Sequence, residues 1–119
     1  MIRGIHAMFY SSDPEELRDF LSAKLGLASF DIGGGWLVFD LSEAVVACHD
    51  PDPGKGRHSG AHHITFYSDG LEDTVAELAA RGVEFADEIR EMDWGRVVRF
   101  RVPGGFEVDL YQPNYEKPS

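Results

Sequence analysis

The sequence predicts an α+β fold made of two βαβββ units in tandem, and three observations carry the prediction. The chain says one phrase twice, His6-Ala7-Met8-Phe9-Tyr10-Ser11 and His63-Ile64-Thr65-Phe66-Tyr67-Ser68. Each copy runs into an acidic helix start, Asp13-Pro14-Glu15-Glu16 or Asp69-Gly70-Leu71-Glu72, and from each Asp to the helix-ending glycine, Gly26 or Gly82, is the same 13-residue step. After each helix come three short runs with strand character, bounded by turn residues.

In the first unit, Ile2–Tyr10 alternates as a strand does. Ile5, Ala7 and Phe9 take one face, and His6, Met8 and Tyr10 the other. Asp13 is placed to cap a helix, with Pro14 at its first position and Glu16 completing a capping box. Leu17, Phe20, Leu21 and Leu25 form the apolar stripe, and Gly26 suits the C-terminal cap. Strands are expected at Leu27–Ile32, Trp36–Leu41 and Ala44–His49, joined by the Gly33-Gly34-Gly35 and Ser42-Glu43 turns.

Residues 50–60 form a turn-rich, flexible linker, so units of about residues 2–50 and 61–113 make a single domain spanning 1–119. The order then repeats: a strand at Ala61–Ser68 and a helix at Leu71–Arg81 with Leu71, Val75, Leu78 and Ala79 inward. Strands at Val83–Ile89, Gly95–Val102 and Phe106–Gln112 complete the unit, and the tail after Pro113 is expected to fray.

Alternation puts Ile64 and Phe66 on the helix side, with His63, Thr65 and Tyr67 opposite. On the last strand Phe106, Val108 and Leu110 oppose Glu107, Asp109 and Tyr111. A strand face carrying His, Glu and Asp does not line an ordinary core, so a wet cavity is expected there. By the same parity His62 points away from it, and Cys48 becomes a small buried hydrophobe rather than a nucleophile.

Composition bounds the function. With 11 basic against 21 acidic residues the net charge is −10, which argues against nucleic acid, whose phosphates attract basic patches. Such a surface serves solubility or draws a cationic ligand. No apolar run approaches a membrane span, and no signal pattern is evident at the N-terminus. Cys48 is the single cysteine, so a reducing, cytoplasmic setting is expected.

These features together resemble the vicinal-oxygen-chelate superfamily, which includes glyoxalase I, bleomycin-resistance proteins, extradiol dioxygenases and methylmalonyl-CoA epimerase. The resemblance covers about residues 3–113. It rests on the His6 strand, Asp13-Pro14-Glu15, Leu25-Gly26-Leu27, the His63 strand, Ala80-Arg81-Gly82-Val83-Glu84-Phe85 and Trp94-Gly95. It rests also on the closing run from Pro103 through Pro113, which follows the family's "Pro-x-Gly-x-x-ϕ-Glu-ϕ" phrase, with ϕ apolar.

The resemblance implies that the two sheets roll into a cup with the helices outside and a divalent metal (Fe, Mn, Ni or Zn) within. It assigns His6, His63 and Asp109 as ligands, Asp109 standing where the family usually has Glu. The fourth ligand position falls on Ala47, which has no donor, so the implied set is two histidines and one carboxylate. Glu107, two residues away on the same face, is the competing carboxylate. Glu107 and His49 are also the groups expected to move a proton.

Tyr10 and Tyr67 are expected to line the substrate pocket, with packing as their alternative. Arg99 and Arg101 share a face with Val97; if that face lines the cup they are expected to hold an anionic substrate, with surface or intersheet ion pairs as the alternative. Two functions follow from the resemblance. One is a metal-dependent lyase or isomerase, or a dioxygenase-like enzyme, acting on a small oxygen-chelating substrate. The other is metal-free sequestration of a drug or metabolite, as in bleomycin resistance. In either case a homodimer is implied.

Overall fold

The computed structural model describes residues 6–44, 47–48 and 50–114. The opening of the first expected strand, half of the Ala44–His49 strand with His49 among it, and the tail from residue 115 lie outside the described residues.

Asp13 does cap the first helix, α1 (Pro14–Asp19): its Oδ1 accepts from the Glu16 backbone N–H at 3.4 Å. The reciprocal half of the expected capping box is supplied by another side chain, since the Asp13 N–H donates to the Ser11 hydroxyl at 3.0 Å. The helix widens into a π-turn over Phe20–Lys24, where the Leu25 N–H reaches back five residues to the Phe20 carbonyl. That turn still buries Leu17 and Leu21, four residues apart, and stacks Phe20 on Phe100 with ring centroids 6.3 Å apart.

Strands β1 (Ala28–Asp31) and β2 (Leu37–Asp40) pair antiparallel, close to expectation. Gly33, Gly34 and Gly35 all have positive φ at their turn, and Asp31 accepts from the Gly33 N–H at 2.7 Å. This hairpin is largely exposed. One tie to the rest of the chain is the Arg18 guanidinium, 5.3 Å from the centre of the Trp36 ring. The linker carries more structure than its composition suggested: Asp52 and Arg57 pair across a 3₁₀ turn at Pro53–Lys55.

The second unit carries the main sheet, four strands in the order β3 (Thr65–Tyr67), β6 (Phe106–Pro113), β5 (Gly95–Val102), β4 (Arg90–Met92). β3 runs parallel to β6 and the other neighbours are antiparallel, which requires α2 (Leu71–Ala80) as the crossover between β3 and the sheet's far strands. Across the β5–β6 ladder Val98 faces Leu110 and Phe100 faces Val108. These pairs, with Val102, make one buried face against Leu71 and Leu78 of α2, Val83, and Leu17 and Leu21 from the first unit. Both helices therefore press on one side of the sheet, and its other side is left for polar side chains.

The strand expected at Val83–Ile89 is not formed. A single bridge joins Phe85 to Phe100, and the next backbone N–H that a neighbouring strand would satisfy, that of Arg99, donates instead to the Asp87 carboxylate at 2.8 Å. A side chain has taken the place of a ladder carbonyl, so pairing stops and restarts at Arg90. No helix among the described residues is long and apolar enough to cross a membrane.

Candidate functional site

The polar side of the main sheet is built from three cross-strand rows. Thr65 faces Asp109, which faces Arg99; Tyr67 faces Tyr111, which faces Val97 and then Arg90; Glu107 faces Arg101. Parity along each strand sends these side chains to the side away from the helices. Two residues before Thr65, His63 reaches the same surface: its Nε2 lies 3.5 Å from Asp109 Oδ2 and 3.2 Å from Thr65 Oγ1. Asp and Thr both address the same ring nitrogen. A nucleophile relay needs them on opposite nitrogens, so this is not a hydroxyl-activating triad.

Beside this pair opens a cleft of about 270 Å³, lined by Met8, Phe9, Tyr10, His62, His63, Ile64, Phe106, Glu107 and Val108. Its walls are the two copies of the repeated phrase, and its floor is the start of β6. The walls are held by aromatic packing: the Phe9 ring sits 6.2 Å from Phe66 and 6.0 Å from Phe106. Ser11 anchors the first wall by donating to the Pro103 carbonyl at 3.0 Å.

Glu107 lies between two arginines without bonding either closely, 3.8 Å from Arg99 Nη1 and 4.0 Å from Arg101 Nε. Arg99 is fixed from its other side, where its Nε donates to Asp87 at 3.0 Å, and Arg90 approaches the same carboxylate at 3.4 Å. Partial burial alone would raise the Asp87 carboxyl, but the Arg99 N–H, the Arg99 guanidinium and Arg90 outweigh it and hold it below the usual range. The hydrogen bond to Asp87 is likewise the main reason Arg99 holds its proton more firmly than usual. At the far end of the face, Tyr111 packs against Tyr67 at 5.9 Å and edge-on to Trp94 at 5.4 Å, and the Tyr67 hydroxyl donates to Glu43 at 2.5 Å.

Measured against the sequence-based expectations, His63, Asp109, Glu107, Arg99 and Arg101 do share one surface, and Tyr10 lines the cleft while remaining 86% exposed. Tyr67 is on the polar face but outside the cleft lining. His6 is exposed, and among the described residues no group of three His, Cys, Asp or Glu side chains comes together as a metal would require. His49 lies outside the described residues. The ion pairs weighed as an alternative for Arg99 and Arg101 are present.

Two expectations need correction. His62 lines the cleft beside His63 because β3 begins only at Thr65, and strand alternation does not govern residues 61–64. Cys48 is exposed, since it, Ala44 and Ala47 are outside any strand and the alternation that buried it does not apply. Sequence reasoning also missed Asp87 and Glu43. The signal for Asp87 was its residue type, a poor strand former inside an expected strand.

Comparison with known proteins fits this architecture. No match is found among curated proteins. An antibiotic binding protein from Streptomyces sp. CB03234, TnmS3, is 23% identical, with 96% of this chain and 100% of that one covered and a TM-score of 0.64. A member of the glyoxalase/bleomycin resistance protein/dioxygenase superfamily from Sphaerobacter thermophilus DSM 20745 is 19% identical, covering 93% and 98% of the two chains at a TM-score of 0.60. A third such protein, from Nocardioides, is 20% identical, covering 92% and 82% at 0.58. At these identities the likeness speaks to the fold. The profile of the Glyoxalase/Bleomycin resistance protein/Dioxygenase superfamily matches residues 4–110, and with nearly the whole chain matched, the protein belongs to that superfamily.

Proposed function

We propose that this chain binds a small oxygen-bearing organic molecule in the cleft between residues 8–10 and 62–64, with His63 and Glu107 as its polar contacts and Phe9, Tyr10 and Phe106 as its apolar walls. The observation that carries the reading is the cleft itself: about 270 Å³, walled by both copies of the repeat and flanked by the His63–Asp109 pair. Small-molecule sites combine apolar lining with a few convergent polar groups in this way. The antibiotic binding described for the Streptomyces relative supports a sequestering role.

The cleft is open, and Met8, Tyr10, Phe30, Ile32, Trp36 and Leu41 are exposed. We assign their cover to a second copy of this chain, in a homodimer that completes the cup; a cytoplasmic setting follows the single cysteine. Sedimentation giving a monomer at micromolar concentration would remove the dimer from this reading. The cleft is tested by screening small carboxylic and phenolic compounds while following the histidine ring signals by NMR. Binding shifts His62 and His63 in the native chain and fails in Phe106→Ala; compounds that bind without moving either ring would overturn the assignment.

A second reading, metal-dependent lyase or isomerase chemistry with Glu107 moving a proton, draws support from the 3.5 Å approach of His63 Nε2 to Asp109 Oδ2. Both are metal donors. The described residues do not fit the ion as a set, because His6 does not join the pair and Ala47 brings no donor. No chemical step is therefore drawn through a metal. Metal content of untagged protein, compared with His63→Ala and Asp109→Ala, decides between the readings: stoichiometric metal lost in both variants establishes the second, and none in the native chain leaves the first.

A further inference from the structure

We propose that Arg99 and Arg101 form an oxyanion seat held shut by the chain's own Glu107, and that a ligand carrying a carboxylate or phosphate group displaces Glu107 from it. The proposal rests on the cleft reading and names the chemistry of its ligand.

The arginines stand at alternate positions of β5, on one face and roughly 7 Å apart, which is two strand residues. Glu107 belongs to β6 directly opposite Arg101 and diagonal to Arg99, so its carboxylate falls between the two guanidinium groups. It satisfies neither well. At 3.8 and 4.0 Å both approaches are longer than a hydrogen bond, leaving a solvated ion pair of the kind that contributes little. An incoming oxyanion that reaches N–H donors at hydrogen-bond distance, in the paired geometry guanidinium favours, gains what Glu107 leaves unused.

The seat is prepared on its outer side. Asp87 takes both the backbone N–H and the Nε of Arg99, which fixes the side chain with its Nη1 toward Glu107. Arg101 is steered by the Phe85 carbonyl, which accepts from its Nη1 at 3.5 Å. Glu107 also lines the cleft, so a ligand lodged between Phe9 and Phe106 already touches the carboxylate it must replace.

Local charge agrees. The chain carries −10 overall, yet three arginines, Arg90, Arg99 and Arg101, gather around this seat against Asp87, Glu107, Asp109 and Glu84, which lies across the strand from Arg101. With Glu107 displaced, three arginines face three carboxylates, so the incoming anion takes the place of the charge it removes. Withdrawal of Glu107, which is 37% exposed, disturbs no buried packing.

The test uses the full chain, with malonate and inorganic phosphate as probes and the arginine Nε–H signals as the readout. Both signals shift on titration, and whichever probe binds more tightly identifies the ligand group as carboxylate or phosphate. Glu107→Gln, which removes the competing charge and keeps the shape, binds the better probe about fivefold more tightly, the factor a surface ion pair of about 1 kcal/mol is worth. Arg99→Gln and Arg101→Gln each bind it about tenfold more weakly. Equal affinity in Glu107→Gln and the native chain overturns the proposal, as do arginine signals that neither probe moves. Silent arginines with a cleft ligand still shifting His63 sink the seat alone; responsive arginines with no cleft ligand sink the cleft reading alone.

Discussion

Gly104→Ala isolates the junction that holds the first copy of the repeated phrase over the cleft. Gly104 has a φ of +109°, and a Cβ there would overlap the Ser11 hydroxyl. That hydroxyl donates to the Pro103 carbonyl and accepts from the Asp13 N–H, both at 3.0 Å. Forcing a side chain into this backbone region costs about 1–2 kcal/mol. Pushing Ser11 away forfeits two hydrogen bonds worth about 0.5–1 kcal/mol each, for a total of about 2–4 kcal/mol. Ser11→Ala removes the same two bonds and should cost about 1–2 kcal/mol. Because the overlap and the hydrogen bonds share one oxygen, the double variant should be no worse than Gly104→Ala alone. The single effects then fail to add by about 1–2 kcal/mol. Urea unfolding of the four proteins measures this. Costs that add to within about 0.3 kcal/mol, or a neutral Gly104→Ala, would refute the assignment of this contact as the anchor.

Three further outcomes are expected. Phe100, 1% exposed and packed against Phe20 and Phe85, should cost about 3–5 kcal/mol as Phe100→Ala in chemical unfolding. Glu72 is lowered from 4.5 to about 2, chiefly by its hydrogen bond with Arg96, and Asp87 is lowered from 3.8, its bonds from Arg99 outweighing burial. Both contributions are complete above the ordinary carboxylate values and drain away as pH falls through the folded values. Stability should therefore decline below about pH 4.5, measured as the urea midpoint against pH, and less steeply in Asp87→Asn. Tyr67→Phe removes the hydroxyl that donates to Glu43 and should cost no more than about 1 kcal/mol by thermal unfolding; a larger loss would mean the bond organises the loop after β2.

The second unit was the more legible half because its strands obey period two over eight residues, enough for alternation to fix a face. Val98, Phe100 and Val102 on β5, and Val108 and Leu110 on β6, are buried as their pattern requires. Legibility ended where side chains replace backbone partners. Asp87 takes an N–H that period-two reasoning gave to a strand, and Ser11 takes the Asp13 N–H that the capping box gave to Glu16. It ended also where a strand was assumed to start too early, which put His62 on the wrong side. For the site, parity put His63, Asp109 and Glu107 on one side and Arg99 with Arg101 on one face of their own strand, but did not say that the two faces are the same. It could not anticipate that Glu107 would sit between the arginines, because that depends on the β5–β6 register.

The interruption at Asp87 also bears on solubility. A long, flat edge strand offers a row of unused backbone groups that a second molecule can pair with, the first step toward aggregation. Here β4, at one margin of the sheet, is cut to the three exposed residues Arg90–Met92, two of them charged, and β3 at the opposite margin is also only three residues long. The carboxylate that steadies Arg99 thereby also shortens the template on which unwanted strands would grow.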